Sequence, residues 1–291
     1  MRFLVTNDDG IDSIFLHELV HALRAAGHEL YVVAPKREQS WVGAAKSRNR
    51  AVHAERIDSG RAGSPNPVEA KSSALPTAAF GDPGLPQNRK YHFGCPTWIV
   101  DGTPSDAINI AVGHLLPSDL HIDAVVSGIN VGLNASLGFI IASGTIAGAW
   151  EGALHGLPAI AFSQDLTATV YDRFKAAHDV PDAALHANLK ISAQHAARLA
   201  SEFAAATPPR SFIVHNVNFP LPCHAHTEVH RTVPARVVVP GLFTPAQDDG
   251  THRLVFRLGE DLSPPEPLTD RAALTAGHIS HTVLDYKKLG Q

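Results

Sequence analysis

The chain has 291 residues, 44% of them hydrophobic and 18% charged, with a formal net charge of −4. This is enough for one large α/β domain or two small ones with a sizeable core, and the acidic balance argues against a general nucleic-acid binder. Two cysteines, Cys95 and Cys223, exclude a disulfide-rich scaffold. No segment approaches the roughly 20 apolar residues of a membrane helix, and no leader-like apolar region opens the chain, so a cytoplasmic protein is expected.

Arg2 to Val5 is an apolar run without polar alternation, the pattern of a strand buried on both faces. It stops at Asn7-Asp8-Asp9-Gly10. Two adjacent carboxylates at the end of a buried strand repel each other, and a hard divalent cation would relieve that cost. The same residues would also serve as a polar turn capping the next helix. That helix is expected to run from Ser13 or Asp12 to about Ala26, with Phe15, Leu16, Leu19, Val20 and Leu23 on one face. Glu29–Val33 follows as a strand, completing a β-α-β unit with parallel strands. His17-Glu18-Leu19-Val20-His21 fits the H-E-x-x-H zinc pattern. The wheel places both histidines opposite the apolar face, where a solvated surface accounts for them.

The second strand ends in Ala34-Pro-Lys-Arg-Glu-Gln-Ser40. In a parallel sheet this loop lies beside the Asp pair, so Ser40 can offer its hydroxyl to the same ion. Lys36, Arg37, Lys46, Arg48 and Arg50 form a basic cluster that suits an anionic substrate. From Ile57 to Asn88 there is no helical or strand period, which predicts a flexible excursion and leaves open a lid over the site. Order returns with a strand at Thr97–Val100, a helix capped by Thr103 or Ser105, and a buried strand at Asp123–Ser127.

That strand runs into Gly128-Ile-Asn-Val-Gly-Leu-Asn134, where Asn130 is a plausible neutral metal ligand. Ser143-Gly144-Thr145 opens a helix over Ile146 to His155. Hydroxyls and amide N–H groups at a helix start make an anion site, although a plain cap would look the same in isolation. Further strands are expected at Leu157–Phe162 and Ser211–Phe219, with an alanine-rich helix between them at Asp182–Ala206. Beyond Pro222, Thr227–Val239 and His252–Leu258 flank a turn at Asp248-Asp249-Gly250 and read as an antiparallel hairpin or arm. A short helix at Thr269–Gly277 and a strand at Ile279–Leu284 close the chain. Such an extension is too small for its own core and suits packing on a second subunit. His224 and His226 read as a polar turn.

Taken together, several motifs resemble the survival protein E (SurE) family: Val5-Thr-Asn-Asp-Asp-Gly10, Val33-Ala-Pro-Lys-Arg-Glu-Gln-Ser40, Gly102-Thr-Pro-Ser-Asp106 and Ser127-Gly-Ile-Asn-Val-Gly-Leu-Asn134. The resemblance continues in Ser143-Gly-Thr145 with Glu151-Gly152, in Asn216-Val-Asn-Phe-Pro220 and in Ala276-Gly-His-Ile-Ser280. It implies a Rossmann-like, mostly parallel α/β core over 1–222, with the excursion at 57–92, and an oligomerisation extension over 223–291. It also implies metal-dependent hydrolysis of nucleoside 5′- and 3′-monophosphates by a homodimer or homotetramer. By motif, Asp8, Asp9, Ser40 and Asn130 match ligands of one Mg²⁺ or Mn²⁺ ion per subunit, with Asp8 or Asp9 acting on the water. Asn134, Ser143, Gly144 and Thr145 match the phosphate side. Departures fall at Ala142, where the family carries Tyr, and over 135–141. Rival readings are a binding module of the same fold without turnover, and a phosphatase for a non-nucleotide ester or with an Asp nucleophile.

Overall fold

The structure is a computed structural model that describes residues 1–57, 92–255, 257 and 259–289. Most of the excursion expected at 57–92 therefore lies outside the described residues. In chain order the elements begin with β1 (Arg2–Thr6), α1 (Ile14–Ala25), β2 (Glu29–Pro35), β3 (Ala54–Arg56), β4 (Thr97–Val100) and α2 (Pro104–Ile110). They continue with β5 (Ala124–Val131), α3 (Leu137–Ala142), α4 (Gly144–Leu154), β6 (Ala159–Gln164), α5 (Ala168–Ala176), α6 (Ala183–Ala206) and β7 (Ile213–Phe219). The last are β8 (Val229–Thr232), β9 (Val237–Val238), β10 (Glu260–Asp261), α7 (Asp270–Thr275) and β11 (Ile279–Asp285).

Nine strands form one sheet in the order β3-β4-β2-β1-β5-β6-β7-β11-β8. The six from β4 to β7 are parallel neighbours, and helices link β1 to β2, β4 to β5, β5 to β6 and β6 to β7. At the edges, β3 pairs antiparallel with β4 and β11 antiparallel with β7. β1 shows why the sheet is covered on both faces. Phe3 and Val5 enter the core formed with α1 and α6, whereas Leu4 enters the one formed with α2. α4 lies close against β5, because a Cβ at Gly152 would stand 2.4 Å from Val125 Cγ2. That approach brings the start of α4 to the carboxyl end of β1.

The caps follow the expected residues. Ser13 accepts from Phe15 N–H, Thr103 and Asp106 form a reciprocal capping box, and Asp182 caps α6. β3, α3 (Leu137–Ala142) and α5 were not legible. β3 is three residues long, and α5 carries few apolar residues, with Phe174 as its buried one. The helix expected at Ile146 begins two residues earlier, at Gly144.

The C-terminal region divides between sheet and arm. β8 and β11 extend the main sheet beyond β7. The antiparallel arm expected from Thr227–Val239 and His252–Leu258 is correct only in part: Val229–Thr232 joins the main sheet beside β11, while β9 pairs with β10, Phe243 bridges Leu254, and Gln247 and Thr251 close the turn. His224 and His226 do form a turn, with His224 N–H donating to Thr227 Oγ1 at 2.8 Å.

Candidate active site

The loops after β1 and β2 are laced together. Gln39 N–H donates to the Asp8 carbonyl at 2.7 Å and Ile11 N–H to the Pro35 carbonyl at 2.9 Å. The buried Asn7 amide closes the β1 turn on Gly10 O at 2.9 Å. Asp8 and Asp9 are thereby held at the carboxyl end of the central parallel strand, where α/β sheets bind ligands.

Asp8 is 3% exposed, and its Oδ1 accepts the Thr145 hydroxyl. The same hydroxyl lies 3.2 Å from Asn130 Oδ1, while Asn130 Nδ2 donates to Gly132 O at 2.7 Å. That second bond turns the oxygen of Asn130 toward the Thr145 hydroxyl. Asp9 Oδ2 accepts Val131 N–H at 3.0 Å. Burial pushes the Asp8 carboxyl up to about 6, against the pull of its bonds to Thr145. Burial also pushes Asp9 well above the usual carboxylate range, and the charge of Asp8 adds to it. The Val131 N–H and the Lys175 ammonium on α5 oppose that rise.

These residues fit a hard divalent cation. One hydroxyl has one proton to give, yet it sits between two acceptor oxygens, Asp8 Oδ1 and Asn130 Oδ1, beside the half-buried Asp9. Oxygen ligands with a net negative charge are what Mg²⁺ or Mn²⁺ requires.

The other candidates lie as follows. Ser40 is exposed and donates its hydroxyl to Glu38, one residue beyond the Gln39–Asp8 bond. Ser143 Oγ caps α4 by accepting Ile146 N–H at 3.0 Å. At Gly144, a Cβ would stand 2.8 Å from Asp8 Cβ, so the bare backbone is what lets the helix start touch the Asp pair. Asn134 belongs to a different network. Its Nδ2 donates to Ser163 Oγ at 2.9 Å, its N–H to Asn218 Oδ1 at 2.9 Å, and its carbonyl accepts Asn216 Nδ2 at 2.8 Å.

The expected basic cluster is partly neutralised. Lys46 pairs with the buried Glu151 at 2.8 Å and Arg50 with Asp101 at 3.2 Å. Those pairs, with Ser47 N–H on Asp106 Oδ1 at 3.1 Å and Thr103 Oγ1 on Ala45 O at 2.8 Å, tie the 41–50 loop to α2 and α4. The H-E-x-x-H pattern on α1 has no zinc geometry, because Glu18 is buried against α6 and bonds His186 Nε2 at 2.8 Å. His17 is half-buried against Phe93 rather than fully solvated. Sequence reading also missed Lys175 and the Asn216–Asn218 pair as neighbours of the site. The i, i+2 spacing of those asparagines on a strand was the available signal.

A wound parallel sheet with adjacent acids and a helix start at its carboxyl rim defines a Rossmann-like α/β protein. The family model for survival protein SurE matches residues 3–238, and the chain belongs to that family. A protein of Solidesulfovibrio magneticus named 5′-nucleotidase SurE is 33% identical over 99% of this chain and 92% of its own. Similarly named proteins of Nostoc and Thermus thermophilus are 34% and 40% identical over 61% of this chain. Those matches span 54% and 56% of the relatives, so the chain covers about half the length of several relatives it matches. The crystal structure of the SurE protein from Aquifex aeolicus has the same fold. Its TM-score is 0.67 at 24% identity, with 98% of this chain and 93% of that one covered.

Proposed function

We propose that the chain is a divalent-metal-dependent phosphomonoester hydrolase that releases phosphate from nucleoside 5′-monophosphates, with 3′-monophosphates as further substrates. The observation that carries the reading is the meeting of Asp8, Asn130 and Thr145 at the start of α4. The names of the relatives support the substrate class.

In this reading Asp8, Asp9, Asn130 and Ser40 hold one Mg²⁺ or Mn²⁺ ion, which when bound supplies Lewis-acid charge to a phosphate oxygen and acidifies water. Asp8 and Asp9 present acceptor oxygens that orient the attacking water and take its proton. Thr145 fixes the Asp8 carboxylate and, with Gly144, brings the N-terminal end of α4 to the place where charge grows on the equatorial phosphate oxygens. Ser143 fixes that helix start through its cap. Asn134 holds the following wall against β6 and β7, its side chain committed to Ser163.

Trp41 and Phe139, with ring centroids 5.5 Å apart, stand next to this edge. Gly43 N–H bonds the Ala142 carbonyl at 2.9 Å, which joins the Trp41 loop to the residue before Ser143. Such an aromatic surface suits stacking of a nucleobase. The exposed apolar side chains Val238, Phe243, Leu254 and Leu262 on the arm support a homodimer or homotetramer built through it. The two-cysteine composition supports a cytosolic setting.

A panel of 5′- and 3′-nucleoside monophosphates, glycerol phosphate and polyphosphate, with Mg²⁺ and Mn²⁺ run separately, tests the reading. Chelator-sensitive phosphate release, fastest from nucleotides, is expected. Nucleotide binding without release would favour a non-hydrolytic module, and faster release from glycerol phosphate would move the substrate away from nucleotides.

A further inference from the structure

Far along the same sheet from the Asp8 edge, another set of ligand-type side chains converges. Glu228, His230 and His278 place a carboxylate oxygen and two imidazole nitrogens within 4.8 Å of one another. His230 Nε2 lies 3.2 Å from Glu228 Oε2, and the rings of His230 and His278 are 4.1 Å apart at 33°. We propose that these three residues form a second metal site, selective for a nitrogen-preferring divalent first-row ion, Zn²⁺ foremost.

The backbone sets the cluster. β8 and β11 pair in parallel with Val229 opposite Ile279 and His230 opposite Ser280. Ile279 N–H donates to the Glu228 carbonyl at 2.9 Å, so His278 stands beside Glu228 at the entrance to the ladder. Glu228 immediately precedes β8 and stands two residues from His230, so the two share a face. The intervening Val229 and Ile279 turn to the core. His278 is fixed from the other side, because its N–H bonds the Ala273 carbonyl at 2.9 Å at the end of α7. Below the histidines, Thr232 bonds Ser280 at 2.9 Å and Thr282 at 2.8 Å, locking the two strands together.

The chemistry of the donors chooses the ion. Two imidazoles and one carboxylate fill three positions of a tetrahedral zinc site, leaving the fourth for water. Ligand atoms of such a site stand about 3.4 Å apart, given metal–ligand distances of about 2.0–2.1 Å. Small side-chain rotations bring all three donors to that spacing, since the Glu228–His230 pair already stands at 3.2 Å. Mg²⁺ discriminates against imidazole and is drawn to the oxygen-lined Asp8 edge instead. Five strand spacings, about 24 Å, separate β1 from β8 in the sheet. The two sites are therefore independent, and this one stands whether or not the Asp8 edge hydrolyses phosphate. Its occupant would staple the last strand of the sheet to the turn that follows α7.

The test uses tag-free, full-length protein stripped of metal and held in excess Mg²⁺. Zn²⁺ is titrated against a colorimetric chelator, and Co²⁺ is followed by its visible absorption. Wild type is expected to bind one more equivalent of Zn²⁺ than His278→Ala or His230→Ala, and Glu228→Gln to bind it roughly 10–100-fold more weakly. Mn²⁺-supported phosphate release should be unchanged in all three. In the unmutated protein, Zn²⁺ should shift the imidazole NMR signals of His230 and His278. Equal stoichiometry in wild type and both histidine variants, or a Zn²⁺-induced shift confined to His224 and His226, would overturn the proposal.

Discussion

The hydroxyl of Thr145 donates to Oδ1 of Asp8, a residue 137 positions earlier in the chain, and itself lies 3.2 Å from the Asn130 side-chain oxygen. The bond joins the end of β1 to the start of α4 and aims the carboxylate. Thr145→Val keeps the shape and deletes the donor. It is expected to lower kcat/KM for AMP roughly 10–100-fold and to raise the metal concentration needed for half-maximal rate, as loss of an outer-shell partner does. Thr145→Ser should restore both. Metal titrations of activity on the three proteins check this, and an unchanged metal requirement in Thr145→Val would remove Thr145 from the site.

Asp8→Asn and Asp9→Asn separate catalysis from folding. Either change is expected to lower phosphate release by roughly 10²–10³-fold or more, the scale on which a charged group facing the reacting phosphate acts. The metal-free fold should behave oppositely. Burial pushes the Asp8 carboxyl up to about 6, above its ordinary 3.8, so ionising it costs folded-state stability as pH rises from about 4 through 6. A neutral amide avoids that cost. Chelated Asp8→Asn should therefore unfold at higher urea than chelated wild type at pH 7. A variant that loses activity together with stability would mean that Asp8 is structural.

Much of this arrangement could be read from the sequence because its signals are local. A doubly buried strand ending in two acids, a Ser-Gly-Thr helix start and an Asn two residues past a glycine each declare a conformation through a few neighbours. What stayed hidden was set by long-range packing. The partner of Glu18 is His186 on α6, and the partner of Lys46 is Glu151 on α4. No period or spacing links those positions. β8 carries a half-exposed alternation that suits an arm as well as a sheet edge, and its pairing with β11 decided the matter. α5, with one buried residue, had no apolar stripe to announce it.

Gly144 tests how closely α4 must approach. A Cβ there would lie 2.8 Å from Asp8 Cβ, 3.0 Å from Asp8 Oδ2 and 3.1 Å from the Gln39 carbonyl. Two of those neighbours belong to the Asp8 side chain, one of them a carboxylate oxygen, and the third is backbone that cannot swing away. Gly144→Ala should therefore displace Asp8 or the 36–40 loop, costing about 1–3 kcal/mol in stability and at least 10-fold in kcat. Denaturant melts with steady-state kinetics check both. Wild-type turnover would show that the helix start and Asp8 are not in functional contact.

The last prediction concerns acid stability and rests on the buried His215 and its half-buried partner His281, away from the Asp8 edge. Thr207 Oγ1 lies 2.7 Å from His215 Nε2, and His215 Nδ1 lies 2.9 Å from His281 Nε2. Phe203 stacks on both rings, at 4.5 and 4.2 Å. One proton serves the His215–His281 contact, so a second would set two N–H groups against each other. Burial pushes His215 down to about 4, with Arg231 adding to the effect. Burial, then His215 and Arg231, pushes His281 down to about 3. Both values lie below the 6.5 of the unfolded chain, so the unfolded state binds the extra protons first. The stabilisation is complete above about pH 6.5 and drains as pH falls toward 4. The slope is up to roughly 1.4 kcal/mol per pH unit for each histidine. Urea melts of the chelated protein at pH 7, 6 and 5 should show this loss. His281→Leu should flatten the slope by about half, because it removes one of the two protonations and keeps an apolar partner for Phe203. An unchanged slope in His281→Leu would place the acid sensitivity elsewhere in the fold.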